Sequence, residues 1–376
     1  MEPRTARAKA LLIDVSHPAH VHFFRGLAQF AAARGDAVLF AGRRKDMTCE
    51  LLESSGLPFD VVSEAAQRRS RFSDAIELGQ RVVRLRRLIH RTRPDVLLTR
   101  NPAGIIAGMG TRTWTIFDTD DGRAVGLHYR LGAPFADVVT SSVHDPECHG
   151  SRHIRYRALK PQAFLHPEVR RGAFANPPEF DLGATPLSVI RWSRHDASHD
   201  NGVRGLPDVD RARVRAMLEA YGHVLLSAEG ERPRLILQGG GEVQTSPTRF
   251  HELLARASLC VTDGQAVSAE AAVLGVPTLR LSSFTGRVWY LDHLEERELV
   301  VNFRPGEEAA LLAAIRSSIH DEDLRDRTHA AALQLHRESE DLTSWWIRLI
   351  DSLPSQRRWP RLRAAPHGTR PRGVAR

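Results

Sequence analysis

Cysteine, lysine and long apolar runs are all scarce in this chain. Its three cysteines, Cys49, Cys148 and Cys260, lie far apart with no C-x-x-C among them, which excludes a disulfide framework and points to a reducing compartment, the cytoplasm. No apolar run approaches the roughly 18 residues a membrane span needs. The first ten residues are short and charged ahead of LLIDV, so neither a transmembrane helix nor a signal peptide is expected. Lysine supplies only three of the 53 cations (Lys9, Lys45, Lys160), a bias that codon composition explains, so arginine counts alone carry little weight. What is present is balanced. At 376 residues, 42% hydrophobic and 26% charged, this is the composition of a folded globular protein of two or three domains, at roughly 150 residues per domain.

The formal charge of +8 with a pI near 10.0 suggests a polyanionic partner, but its distribution argues otherwise. Residues 1–180 hold 27 Lys and Arg against 19 Asp and Glu, residues 181–356 hold 19 against 26, and residues 357–376 hold seven against none. A basic first part and an acidic second part nearly cancel, and the tail supplies the excess. Nucleic acid is therefore not the expected partner. Residues 67–93 carry nine arginines and two acids. A basic amphipathic helix of this kind suits an anionic membrane surface, which would make the protein peripheral at the inner face, or it is a sheet-covering helix with a charged outer side.

Hydrophobic patterning predicts alternating strands and helices. Strands are expected at 11–15, 37–41, 59–62, 94–100, 114–120 and 136–142, with helices at 20–34, 47–55 and 73–92 between them. Residues 160–186 are rich in Pro and Gly and read as an interdomain crossing. A second set follows, with strands at 187–192, 223–229, 259–264 and 276–282 and helices at 208–222, 250–258, 267–275, 307–319 and 324–353. The expected architecture is α/β, with two Rossmann-like, doubly wound parallel-sheet domains facing across a cleft. The expected division is 1–170, a first Rossmann-like domain; 171–353, a second Rossmann-like domain with C-terminal helices; and 354–376, a basic disordered tail.

The strongest local signal is T-D-G-Q-A-V-S-A-E-A-A-V-L-G-V-P at 262–277. A buried strand, a polar turn and a helix follow one another within a few residues, so the backbone N–H groups of Gly264, Gln265, Ala266 and Val267 face outward at the positive end of a helix, which suits a diphosphate. Glu270, about one turn on, is placed to accept ribose hydroxyls. The alternative is a plain turn with a solvated or capping acid.

That segment resembles the C-terminal sugar-nucleotide motif of GT-B proteins such as the non-hydrolysing UDP-N-acetylglucosamine 2-epimerases. The chain from 11 to 303 further resembles the DUF 354 family, through D-V-S-H-P-A-H-V-H-F-F (14–24), F-D-T-D-D (117–121), P-F-A-D-V-V-T-S (134–141), A-L-K-P-Q-A-F-L-H-P (158–167), I-R-W-S-R-H-D-A-S-H-D-N-G (190–202) and the 262–284 stretch. The resemblance implies a GT-B fold and a nucleotide-sugar substrate, with a glycosyltransferase or a sugar-nucleotide 2-epimerase as the activity. It implies no resident cofactor and no bound metal. The partners it implies are a nucleotide-sugar donor and a carbohydrate or lipid-linked acceptor.

On that alignment His20 starts the first helix facing the cleft, where an imidazole can act as general base, or else caps the helix. Asp118 and Asp120 follow the strand WTIF at the sheet's carboxyl edge, where clustered carboxylates raise one another's pKa, or else form an acidic turn. Asp121 stands where the family usually has histidine. Arg191, Ser198 and His199 take the place of a Gly-rich phosphate turn and would supply donors by side chain. His195 and His199, four apart among acids, and the 144–153 histidine cluster lack metal-site spacing.

Overall fold

The short apolar runs assemble into two sheets whose strands are buried on both faces. The computed structural model describes residues 7–44, 47–64, 71–120, 127–167, 181–193, 205–228 and 231–354. In the first half β1 (Ala10–Val15), β2 (Ala37–Arg44), β3 (Phe59–Glu64), β4 (Val96–Thr99), β5 (Trp114–Asp118), β6 (Val138–Ser142) and β7 (His153–Tyr156) lie in the order β3-β2-β1-β4-β5-β6-β7. All neighbours pair in parallel. In the second half β8 (Leu187–Trp192), β9 (His223–Ala228), β10 (Arg234–Ile236), β11 (Glu242–Gln244), β12 (Leu259–Thr262), β13 (Thr278–Leu281) and β14 (Val300–Phe303) lie in the order β11-β10-β9-β8-β12-β13-β14. Only β10 runs against its neighbours.

Parallel strands need crossover helices, and those helices cover both faces, which is why VLLT of β4 and LCVT of β12 are apolar and buried without alternation. The strand order reverses between β1 and β4 and again between β8 and β12. Such switch points leave a crevice beyond the carboxyl ends of the strands, where ligands bind in open α/β sheets. The expected α/β architecture of two Rossmann-like sheets is what the chain forms, and the run LSVIRW matches β8 residue for residue. The patterning missed β7, the β10–β11 pair, β14 and the helices Pro102–Gly108 and Trp289–Glu295. These elements have three to seven residues, too few to display a period.

The last described helix, Leu342–Ser352, returns to the first half. Trp346 is buried and meets the rings of Phe23 and Phe24 at 6.2 and 5.9 Å on helix Pro18–Ala33. Arg34 pairs with Asp351 at 2.8 Å, and Lys9 Nζ donates to the Leu353 carbonyl at 2.7 Å. Burying each Phe contributes about 1.5–3 kcal/mol, so this helix is a structural strap. One apolar cluster runs through both halves, from Leu11 to Ile350.

The basic segment forms helix Arg71–Thr92, while residues 65–70 lie outside those described. Of its arginines Arg81 is buried, Arg86 is half-buried, and Arg84, Arg87 and Arg91 are exposed. Arg81 is buried against Asp14, Arg84 and Arg86 donate to backbone carbonyls of Val62, Ala107 and Met109, and Arg91 pairs with Asp60. Leu85, Leu88 and Ile89 pack with Leu12 and Leu97, so the helix covers the sheet. No helix among the described residues is long and apolar enough to cross a membrane.

Candidate functional site

The carboxyl edge of the first sheet carries a buried charge cluster. Asp118 ends β5 and is 1% exposed. Arg100, which follows β4, pairs with both Asp118 and Asp120, and Lys160 Nζ lies 3.2 Å from Asp120. Thr140 Oγ1 donates to Asp118 at 2.9 Å. The two carboxylates do not both rise in pKa, as clustering alone would have it. Burial lifts Asp118 to about 6 against the opposing pull of Arg100. Burial also works to raise Asp120, but Arg100 and Lys160 together outweigh it and bring the group well below the usual carboxylate range. Cations decide the split.

Asp14, fully buried at the end of β1, closes a second network with Arg81, while Thr99 Oγ1 donates to it at 2.8 Å. Helix Pro102–Gly108 comes so close here that a Cβ on Gly104 would lie 2.9 Å from Thr99 Oγ1 and 3.0 Å from Asp14 Oδ2. Glycine is what lets that helix seat on the site.

His20 stands in the first turn of helix Pro18–Ala33, with its Nδ1 3.5 Å from the Ser16 N–H and hydroxyl. The capping role falls instead to His17, whose Nδ1 accepts from the Ala19 N–H at 3.2 Å. Burial, and after it the charges of Arg100 and Lys160, hold His20 well below the ordinary imidazole range, so it is neutral at neutral pH.

In the second half the helix Gln265–Val273 begins directly after β12 and Asp263, with Gly264 as its N-cap residue. The Gly264 N–H is not available to a ligand, because it donates to Thr262 Oγ1 at 3.0 Å. Gly264 has φ −81°, so glycine is not demanded there. Asp263 is buried, accepts from the Ser193 N–H at 2.7 Å and pairs with Arg211 at 3.0 Å. The expected outward donors thus narrow to Gln265, Ala266 and Val267, and the Gln265 side chain is engaged by the Tyr290 hydroxyl at 3.4 Å. Arg191 ends β8 and donates to Ser227 Oγ at 2.5 Å and the Ala228 carbonyl at 3.0 Å. Glu270 is buried, with its Oε2 3.1 Å from His251 Nε2. Ser198, His199, His195 and Asp121 lie outside the described residues.

Two cavities meet at this helix. One, of about 510 Å³, is lined by Asp120, Tyr156, Lys160, Phe164, Trp289 and Tyr290 on its far walls. The other, of about 650 Å³, is lined by His17, His22, Arg191, Ser227, Phe250 and His251. Ala19, Ala266 and Glu270 belong to both. The structure therefore brings Asp120, Arg191, Ala266, Val267 and Glu270 to the cavity walls, with Asp118 one layer behind Asp120. His20 adjoins the Arg100 and Lys160 charges and is not among the lining residues.

Three site residues escaped the sequence reading. Lys160 was visible as one of only three lysines, inside the A-L-K-P-Q motif. Arg100 and His251 had no signal in sequence, since each is set by a partner 18 to 20 residues away or, for Glu270, in the next helix. His22 also faces the second cavity, stacking on Phe164 at 5.2 Å and meeting His251 edge-on at 4.8 Å.

No family model and no curated protein matches the chain. Solved structures do. The chain is similar to a UDP-bound structure of MnaA from S. aureus, at 11% identity and TM-score 0.65 over 90% of this chain and 95% of that one. It is similar to the UDP-GlcNAc 2-epimerase from Neisseria meningitidis bound to UDP-GlcNAc, at 10% identity and TM-score 0.59 over 91% and 99%. The glycosyltransferase of kitacinnamycin matches at 16% identity and TM-score 0.60 over 93% and 100%. The shared feature is the GT-B fold.

Proposed function

We propose that the chain binds a nucleoside-diphosphate sugar, a UDP-sugar, in the cleft and transfers the sugar to a hydroxyl of a cell-envelope or polysaccharide acceptor, carbohydrate or lipid-linked. The observation that carries this reading is the pair of cavities sharing Ala19, Ala266 and Glu270. A donor and an acceptor need two adjoining spaces, whereas a rearrangement within one nucleotide-sugar needs one. The cavity with Arg191, Ser227 and Phe250 suits a nucleotide, with an aromatic face for a base and a guanidinium for phosphate. The cavity with Tyr156, Phe164, Trp289 and Tyr290 suits a sugar ring or an apolar acceptor. The UDP and UDP-GlcNAc ligands of the similar structures support a uridine donor.

In this reading Arg191 and the N–H groups of Gln265, Ala266 and Val267 balance charge developing on the leaving diphosphate, joined by Ser198 and His199, which follow β8 in the sequence. Glu270, oriented by His251, accepts the ribose hydroxyls. Neutral His20 accepts the acceptor's proton, and Asp120, on the cavity wall, orients the hydroxyl. No step calls on a metal.

The 2-epimerase reading draws on Asp118, whose pKa of about 6 leaves it able both to give and to take a proton near neutrality. One experiment separates the two. Purified protein is incubated with a single UDP-sugar and no acceptor while the sugar H1 and H2 signals are followed by NMR. Transfer predicts an unchanged donor until an acceptor is added, followed by UDP release. Appearance of the 2-epimer without acceptor overturns the transferase reading.

A further inference from the structure

Arg280 lies on β13 opposite Thr262 of β12 and Asn302 of β14, behind the turn that opens helix Gln265–Val273. It is 0% exposed. Arginine stays protonated in a protein and offers five N–H donors in a planar fork. Two of them are accounted for, because Nη1 donates to Thr285 Oγ1 at 3.3 Å and to Asn302 Oδ1 at 3.2 Å. Among the described residues Nε and Nη2 have no partner, and neither does the neighbouring Asn302 Nδ2. Five N–H bonds, three on Arg280 and two on Asn302, therefore point into the interior without an acceptor.

Other well-buried arginines here show what is missing. Arg81 meets Asp14 and Arg100 meets Asp118 and Asp120, and even the partly exposed Arg211 meets Asp263. Arg280 has no carboxylate at ion-pair distance among the described residues. The acids that act on it from farther away, Asp263, Asp292 and Glu295, have other engagements. Asp263 is held by Arg211 and the Ser193 N–H, Asp292 stays outside ion-pair reach, and Glu295 Oε1 accepts from the Asn302 N–H at 3.1 Å. An unpaired charge removed from water is costly, and an unpaired buried donor adds to that cost. The Nε–Nη2 edge is the side of a guanidinium that grips an anion with two parallel hydrogen bonds.

We propose that the Nε–Nη2 edge of Arg280, with Asn302 Nδ2, holds a small inorganic monovalent anion of chloride size. The site is separate from the proposed nucleotide-sugar cleft. Full enclosure of the guanidinium excludes a nucleotide or a phosphate ester. Water would satisfy the donors but leaves the charge unbalanced. The anion braces β13 against β14 and the loop 282–287, and so supports the back of helix Gln265–Val273.

The test uses the full chain and bromide as probe. Crystals soaked in sodium bromide should show an anomalous peak in contact with Arg280 Nε and Nη2. In solution, Tm should rise saturably with sodium chloride or bromide relative to sodium gluconate at equal ionic strength. Arg280→Met should abolish that halide-specific rise. If Arg280→Met does not fold, Asn302→Leu, which removes one donor group, should shift the halide midpoint upward about tenfold. A water in place of the peak, a carboxylate of Asp292 or Glu295 found on the Nε–Nη2 edge, or a halide-specific rise that survives in Arg280→Met overturns the proposal.

Discussion

The indole N–H of Trp289 donates to the backbone carbonyl of Asp120 at 2.7 Å, across the cleft between the two halves. Trp289 stands at the start of helix Trp289–Glu295, and Asp120 follows β5 at the edge of the other sheet. One hydrogen bond thus couples the position of an aromatic wall to the position of the Arg100–Asp120–Lys160 cluster.

Trp289→Phe keeps an aromatic ring in the wall while removing the N–H donor and one ring of the indole. A net hydrogen bond of about 1 kcal/mol corresponds to a factor of about five. Affinity for UDP-sugar, measured by titration calorimetry, should weaken by roughly that factor with little change in Tm. Unchanged affinity would show that the bond does not set the shape of the cleft.

Glu270→Gln keeps the shape of the side chain and removes the charge. Hydrogen bonds to a carboxylate contribute about 1.5–3 kcal/mol, so nucleotide-sugar affinity should fall between ten- and a hundredfold. His251→Ala leaves Glu270 in place without its 3.1 Å partner, and should cost less. Equal losses in the two variants would mean that His251 contacts ligand itself.

Asp118 gives the fold a pH dependence of definite sign. Its folded pKa of about 6 lies above the ordinary 3.8, so the folded state binds more protons than the unfolded chain between those values. Stability from this group therefore falls as pH rises from about 4 to 6, by about 3 kcal/mol at 1.36 kcal/mol per unit. Asp118→Asn removes the titration. Urea unfolding of both proteins at pH 4 and pH 7 should show the variant gaining on the wild type as pH rises. A constant difference would place the Asp118 pKa near its ordinary value.

Arg81 and Asp14 form a pair with side chains 3% and 0% exposed. Arg81→Met leaves a buried carboxylate unpaired and should destabilise by about 3–5 kcal/mol. The double variant Arg81→Met, Asp14→Leu should recover part of that loss, because no lone charge remains. A double variant whose loss equals the sum of the two single losses would show that the two residues are not coupled.

Much of the fold was legible because buried parallel strands and their helices write local patterns. Glu270 and the start of its helix could be read from residues 262–277 alone, since strand, turn and helix are contiguous there. The donor set could not be read so finely. Whether the Gly264 N–H is open depends on the Thr262 rotamer, which closes on it. The Asp118 and Asp120 pair was visible, but the opposite directions of their pKa shifts depend on Arg100 and Lys160, which arrive from other strands and loops. The arginine-rich helix shows the same limit. Composition marked it as basic, while Asp14, Asp60 and backbone carbonyls of other elements decided where its charge went.

The sequence by itself determined the class of architecture, two parallel α/β halves with an opening at residues 262–267, because strand burial and helix periodicity are properties of neighbouring residues. The tertiary structure alone decided which charges face one another. Arg100 meets Asp118 and Asp120, His251 meets Glu270, Trp289 reaches Asp120, and Arg280 meets no acid among the described residues. Electrostatics and desolvation act through space, and the distances on which they depend exist only once the chain has folded.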